Sequence, residues 1–425
     1  MKIVHVGAGS FVFAPTVLYD AIVKHRLDGL ELVLVDPDTE LVFAMAGLGR
    51  AMAAAEGVDV RIEWTAERAA ALPGADFVVL SAAIQGARRW LMDNEIMQRA
   101  GIPGQARECG GLGGLSYALR SITLALGLCR DMERLCPDAV LLSVTNPLPR
   151  VMTAVRAHTP IRAVGFCSVA YQGPTGYSWL AGLLERAQED IRVTTAGLNH
   201  FAWLVDVRDA QTGEDLYPQV EDRIRQGSGE SFAVLQGWLA EYGAVGVCGV
   251  QHMMEYLPGD GRYARTRPPF HGSPEERARR QEALQAVAAG KLSWRDADLH
   301  FCWEHPVDVA AALARRTAAS FDMVNIPNKG LLSELPPGRI VEVPADATNG
   351  ELRGRTVGHL PGRVSEICRA VSDVHELVAR AAATGDRSLA QRALEVDPAV
   401  TEKAPATRAL EEMLAAHADI LPQFA

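Results

Sequence analysis

Apolar residues come in short bursts through the first 170 positions, separated by stretches whose apolar residues recur every three or four. Ile3–Val6, Leu32–Val35, Phe77–Ser81, Ala139–Val144 and Ala163–Phe166 are apolar, β-branched-rich runs, as strands covered on both faces should be. The segments between them have helical length, so the pattern predicts βαβ units and a parallel sheet. From about Ile191 the order changes, and the strand-like stretches Ile191–Ala196 and Phe201–Val207 mix with helices. Near the end, Val364, Ile367, Val371, Val374 and Val378 form a helical stripe, punctuated by Gly385 and Pro398. No internal repeat and no long Gly/Ser/Pro linker interrupts the chain. The expectation is an α/β protein of two tightly packed domains. Residues 1–185 would form a Rossmann-type parallel sheet, and residues 186–425 an α+β domain carrying substrate and metal groups.

Composition narrows the class. A chain of 425 residues with 48% apolar and 22% charged residues can bury a full core, which excludes disorder, collagen and coiled coil as the main architecture. The net charge of −10 argues against a nucleic-acid partner, which needs a basic face. Apolar runs stay too short to predict a membrane-spanning helix, so no membrane partner is expected. The opening MKIVHVGAGS reads as a strand of the fold and not as a signal peptide. Seven cysteines, an odd number, predict reduced thiols and a cytoplasmic location.

The first candidate chemistry sits in the first turn. Gly7-Ala8-Gly9-Ser10-Phe11-Val12 follows a strand and precedes a helix, the setting in which a Gly-rich turn holds a pyrophosphate at a helix N-terminus. Val12 stands where the fingerprint's third glycine would be. Asp36 ends the second strand in Leu34-Val35-Asp36-Pro37, where a carboxylate can bind the adenosine ribose hydroxyls. An acid there selects NAD, because it would repel a 2′-phosphate. Gly7, Gly9, Ser10, Phe11 and Asp36 are therefore the candidate cofactor-binding residues. Thr145-Asn146-Pro147, after the fourth strand, can hold the nicotinamide and a substrate hydroxyl. This much would also suit a 2-hydroxy-acid dehydrogenase of the malate type. That class needs a His base beside a carboxylate-clamping Arg, and His200 in Gly197-Leu198-Asn199-His200-Phe201 has no obvious Arg beside it.

Cys167 follows the fifth strand, at the strand end where open α/β sheets place ligands, and His200 lies beside a later one. One Cys and one His make an incomplete metal shell that substrate oxygens could complete. Spacing alone leaves core packing open for both.

An ordered series of motifs then carries a resemblance. It runs from Gly7-Ala8-Gly9-Ser10 through Arg88, Arg89 and Asp93-Asn94-Glu95 to Gly111–Ile122 and Thr145-Asn146-Pro147. It continues with Gly165-Phe166-Cys167, Gly197-Leu198-Asn199-His200, Val341-Glu342-Val343-Pro344 and Gly358-His359-Leu360-Pro361. The chain resembles glycoside hydrolase family 4, whose members are NAD- and divalent-metal-dependent glycosidases, and more distantly NAD-dependent sulfoquinovosidases. The resemblance implies a two-domain arrangement like that of lactate and malate dehydrogenases, and Cys167 and His200 as ligands of a metal, usually Mn²⁺. It implies that Asn146 is both catalytic and substrate- and cofactor-contacting. It also implies cleavage by C3 oxidation, C2 deprotonation, loss of the aglycone, water addition and re-reduction, outside the two-carboxylate scheme. The family's base is a tyrosine. Tyr256, in His252-Met253-Met254-Glu255-Tyr256-Leu257-Pro258, is the candidate, with Tyr263 as competitor. Arg89 and Asn199 are further candidate substrate contacts. Arg262, Arg265 and Arg267 cluster, and such forks would suit an anionic hexoside, uronic or sulfonated, although a neutral α-hexoside stays open.

Two departures mark this chain. Ser168 follows Cys167 where many members acting on unphosphorylated sugars carry His, and Ser168-Val169-Ala170 does not match the 6-phosphate pattern either. Glu108-Cys109-Gly110-Gly111 is one residue longer than the usual run before the Gly-Gly pair. Cys129 and Cys136 read as core. The assembly expected is a homodimer or homotetramer. A non-catalytic NAD sensor is the remaining alternative.

Overall fold

The computed structural model describes residues 1–167, 177–259, 261–266, 268 and 273–425. Ser168, Val169, Ala170 and Arg267 lie outside the described residues. One mixed sheet of 11 strands organises the chain. Its parallel part comprises β1 (Lys2–Val6), β2 (Leu30–Val35), β3 (Val60–Thr65), β4 (Phe77–Leu80), β5 (Val140–Ser143) and β6 (Arg162–Gly165), ordered β3-β2-β1-β4-β5-β6. That is the doubly wound order, in which the crevice beyond β1 and β4 is the switch point for a ligand. The expected strands are all there. The one unforeseen is β3, an edge strand whose Arg61 and Glu63 break the apolar run that marks its buried neighbours.

The sheet then continues without a break into antiparallel strands. Those are β7 (Ile191–Leu198), β8 (Phe201–Asp209), β9 (Ala319–Pro327), β10 (Ile340–Thr348) and β11 (Glu351–Gly354). Strand β9 pairs with β6 through Gly165 and Asn325, and Glu342 of β10 pairs with Asn325 on one side and Gly197 of β7 on the other. The sheet thus crosses the expected division at 185, and the two halves share one hydrogen-bonded scaffold.

Alternate side chains of the parallel strands feed opposite cores, as the strand period of two requires. Val4, Val6, Val78 and Leu80 pack with the Gly111–Leu135 helix and with the C-terminal helices Val364–Thr384, Arg387–Val396 and Lys403–Ala416. Ile3, Leu32, Leu34 and Val79 pack on the other face with Thr39–Glu56, Pro274–Ala288 and Pro306–Arg315. The helices from Val364 onward, expected in the second domain, therefore complete the core of the first. The Val364–Thr384 helix ends on Gly385, whose φ of +73° suits a left-handed cap. Gly111–Leu135 is long and apolar enough by length and composition to cross a membrane, but 78% of that apolar window is buried inside the fold. Cys129 and Cys136 are core residues, and all seven cysteines are free thiols.

Candidate active site

The dinucleotide turn is built by close backbone approach. At Gly7, φ is +93°, and a Cβ there would stand 2.7 Å from the Ser81 carbonyl carbon. A Cβ at Gly9 would stand 2.8 Å from the Asp36 carboxyl carbon. Only glycine lets the turn between β1 and the following helix lie this near β4 and the end of β2. Asp36 accepts from the Gly9 N–H (2.9 Å) and the Asp38 N–H (3.0 Å), which fixes its carboxylate at the lip of the turn. Burial pushes this carboxyl up and the two backbone bonds oppose it. Ser10 Oγ accepts from the N–H groups of Val12 and Phe13 at 3.2 and 3.1 Å, which ties the turn to the start of the helix at Phe13. The Arg277 guanidinium stands 5.5 Å over the Phe11 ring. Beneath the turn, His5 Nε2 and Ser81 Oγ are 2.7 Å apart, and Ser81 bonds the Gly7 carbonyl.

A second set of groups converges from six places in the chain. Asn146, after β5, donates to Glu108 Oε1 at 2.7 Å, and its own carbonyl accepts from Ser121. Arg265 reaches Glu108 at 2.5 Å and Glu255 at 3.3 Å. The other Glu255 oxygen accepts the Cys109 N–H at 2.5 Å. Cys109 Sγ, a His200 ring nitrogen and a Glu255 oxygen all lie within 4.8 Å of one another. Glu108, His252 and Glu255 form an overlapping group of the same size. The His200 and His252 rings meet edge to face at 4.5 Å.

Local sequence explains how His200 arrives. Leu198 pairs with Phe201, so Asn199-His200 is a two-residue hairpin turn, and His200 has a φ of +60°. Burial, aided by His252 and Arg265, holds its imidazole well below the usual range. It is a neutral ring, as a metal ligand must be. Its Nδ1 is buried with no hydrogen-bond partner among the described residues. Cys167, just past β6, is 7% exposed and packs against Leu148, Met152 and Ile340, whereas the thiol grouped with the His200 ring is that of Cys109. The soft thiol and neutral imidazole donors fit a divalent transition metal. Asn199 does not present its amide to open space: its Nδ2 donates to Glu342 at 2.8 Å, as Asn325 does at 2.9 Å. Glu342 is 2% exposed, and burial pushes it up to about 7 against those two bonds.

Several expected residues are placed differently. Tyr256 is 2% exposed among Phe201 and His375, and its hydroxyl has no partner among the described residues. Burial drives its phenol well above 10, the wrong direction for a base near neutrality. Arg89 is turned away from the cluster. It pairs with Asp419 and bonds Gln85, His417 and the Ala416 carbonyl, clamping the C-terminal segment. Arg262 is exposed and stands 3.9 Å from Glu230. Arg265 is in the site, but two buried carboxylates occupy it. The sequence reading missed Glu108, Cys109, His252 and Glu255. Glu108 and Cys109 were seen only as a length difference ahead of the glycines, and His252 and Glu255 only as the run that carries Tyr256.

A doubly wound sheet with an acid-tipped Gly-rich turn, and in the same fold a buried thiol–imidazole–carboxylate cluster, has the architecture of a Rossmann-like α/β protein. The chain belongs to family 4 of the glycosyl hydrolases, matching that family over residues 2–175 and its C-terminal domain over 195–400. Its enzyme class is therefore glycoside hydrolase. It is 25% identical over 435 residues to an alpha-galactosidase of Bacillus subtilis strain 168, covering 100% of this chain and 99% of that one. It is 28% identical over 447 residues to an alpha-glucosidase of Erwinia rhapontici, covering 93% of each. Among solved structures it is similar to a 6-phospho-alpha-glucosidase from gut microorganisms in complex with NAD and Mn²⁺ (21% identity, TM-score 0.81, 99% of both chains). The expected dehydrogenase-like arrangement is also seen. A lactate dehydrogenase from Cryptosporidium parvum superposes with TM-score 0.55 at 12% identity over 90% of this chain and 98% of that one, a likeness of fold alone.

Proposed function

We propose that the protein is an NAD- and divalent-metal-dependent O-glycosidase that cleaves by oxidation and elimination, and that it works as a cytoplasmic homodimer or homotetramer. The observation that carries this reading is the convergence of Glu108, Asn146, Arg265 and the Cys109–His200 group in one buried site of the same sheet that forms the dinucleotide turn. The relative solved with NAD and Mn²⁺ supports the same pair of cofactors here. Gly7, Gly9 and Asp36 would hold the dinucleotide, and Cys167 and His200 the metal. When bound, these groups supply hydride removal and return at sugar C3 and Lewis-acid polarisation of the sugar oxygens.

The protein's own groups handle protons. Burial pushes the Glu108 carboxyl up, Arg265 opposes that shift, and Glu255 adds to it. Glu108 is thus suited to hold a proton near neutrality and to pass it within reach of Asn146. With Tyr256 sealed in the core, Tyr263 is the candidate left for the base at C2, its hydroxyl donating to Glu230 at 3.3 Å. It stands on the 261–266 loop, which docks on the 104–106 segment through the Arg265 N–H to the Ala106 carbonyl (2.7 Å). A neutral hexoside fits better than an anionic one, because Arg265 already serves Glu108 and Glu255.

Turnover in D₂O tests the reading. Product should carry deuterium at C2 and none at C3, with no net NADH formed. Tyr263→Phe should depress turnover and C2 exchange together, whereas Tyr256→Phe should leave both near the wild-type rates. Net NADH accumulation would instead mark a dehydrogenase. NAD binding with no cleavage across neutral, uronic, sulfonated and 6-phosphorylated glycosides would mark a sensor.

A further inference from the structure

The dinucleotide turn spends its backbone donors unevenly. The N–H groups of Gly7 and Ala8 go to the Val35 carbonyl, that of Gly9 to Asp36, that of Ser10 to the Gly7 carbonyl, and those of Val12 and Phe13 to Ser10 Oγ. Between Gly7 and Phe13 only the Phe11 N–H makes no hydrogen bond among the described residues. The Asp36 carboxylate already faces this turn through Gly9, so a diphosphate held here meets a like charge and needs a cation to offset it. The Pro274–Ala288 helix brings one from the other half of the sequence. Its Leu284 and Val287 are buried in the core that the turn's own helix closes, and a Cβ at Gly47 would stand 2.3 Å from the Ala288 Cβ, so the helix is seated hard on Thr39–Glu56. At its start, Ser273 and Glu276 form a reciprocal capping box, at 3.2 and 2.7 Å, with Pro274 in the first turn. Beyond the helix, the Cys302 N–H donates to Thr16 Oγ1 at 2.7 Å, just past the turn. Anchored in this way, Arg277 is exposed, with its guanidinium 5.5 Å over the half-buried ring of Phe11.

We propose that Arg277 is a cofactor-binding residue: its guanidinium and the Phe11 N–H together hold the pyrophosphate of the dinucleotide, and the Phe11 ring is the platform that positions the guanidinium. This rests on the NAD-dependent reading above. A guanidinium offers a phosphate paired N–H donors in one plane. An aromatic face can hold its cation without consuming those donors. The cofactor then touches both halves of the chain, because Arg277 lies far beyond the parallel strands in sequence and returns to them only through the seat of its helix on Thr39–Glu56.

Titration calorimetry of the full-length protein with NAD, ADP and adenosine separates phosphate contacts from all others. ADP keeps the pyrophosphate without the nicotinamide, and adenosine has no phosphate. Arg277→Met keeps an unbranched apolar stem and loses the charge. It should weaken NAD and ADP about 10- to 100-fold and leave adenosine unchanged. Arg277→Lys should recover part of that loss. The wild-type advantage over Arg277→Met should shrink as salt is raised, because an exposed charge is screened. Phe11→Leu should weaken ADP about 2- to 5-fold, and should add nothing once Arg277→Met is present. Matching circular dichroism and urea midpoints check that each variant is folded. A folded Arg277→Met that binds ADP as tightly as the wild type, or that loses adenosine as strongly as ADP, overturns the assignment of Arg277 and leaves the NAD-dependent reading standing. A folded wild type that binds neither NAD nor ADP overturns both.

Discussion

The dinucleotide turn and the Glu108–Arg265 centre lie on one sheet but are assembled by opposite means. In the turn, the defining bond joins Gly9 to Asp36, and the supporting groups come from neighbouring strand ends. Its polar contacts are mostly backbone N–H groups, and glycine makes them possible. In the centre, Asn146, Glu108, Cys109, His200, Glu255 and Arg265 arrive from separate loops and are buried together. There, charge must be balanced by partners from distant parts of the sequence. The turn is a local solution that tolerates solvent. The centre is a cooperative one, in which losing a single partner leaves a buried charge exposed to its like.

The comparison breaks first at Arg265. Arg265→Ala leaves Glu108 and Glu255 buried without a counter-charge, so it should cost about 3–5 kcal/mol of stability and abolish turnover. Urea unfolding and activity measure the two effects, and wild-type stability in this variant would show that the carboxylates do not depend on it. The next effect is pH-dependent. Glu342 has a folded value of about 7 against an ordinary 4.5, so the unfolded chain ionises first as pH rises. The stability linked to Glu342 is therefore fully present below about 4.5 and falls until about 7, by at most ~3 kcal/mol. Subtracting the pH–stability profile of Glu342→Gln from that of the wild type should isolate this fall, and a flat difference would refute it. The smallest effect belongs to the turn. Asp36→Ala should weaken NAD about 10- to 100-fold, as loss of a charge-assisted contact does, and narrow the discrimination against NADP. Titration calorimetry with both cofactors tests this, and equal wild-type affinity for NAD and NADP would refute the role of Asp36.

The sequence alone determined the parallel strands, because runs such as Leu32–Val35 are apolar on both faces and have no other stable place than inside a covered sheet. It determined the turn, since glycines at positions 7 and 9 and an acid at 36 are spaced by the βαβ unit itself. It also offered Cys167 and His200 as candidates, although spacing alone left core packing open for both and only the family resemblance made them metal ligands. It did not disclose β3, whose charged edge pattern looks like a loop, nor that the Val364–Thr384 helix closes the core of the first half. Nor could it separate Tyr256 from Tyr263. Both lie on the same stretch, and only packing against Phe201 seals one of them away. The fates of Arg89, Arg265, Glu108 and Cys109 were likewise decided by tertiary structure. The chemistry of a charged or nucleophilic side chain depends on which distant group neutralises it and how much water remains, and neither is written in the residues beside it.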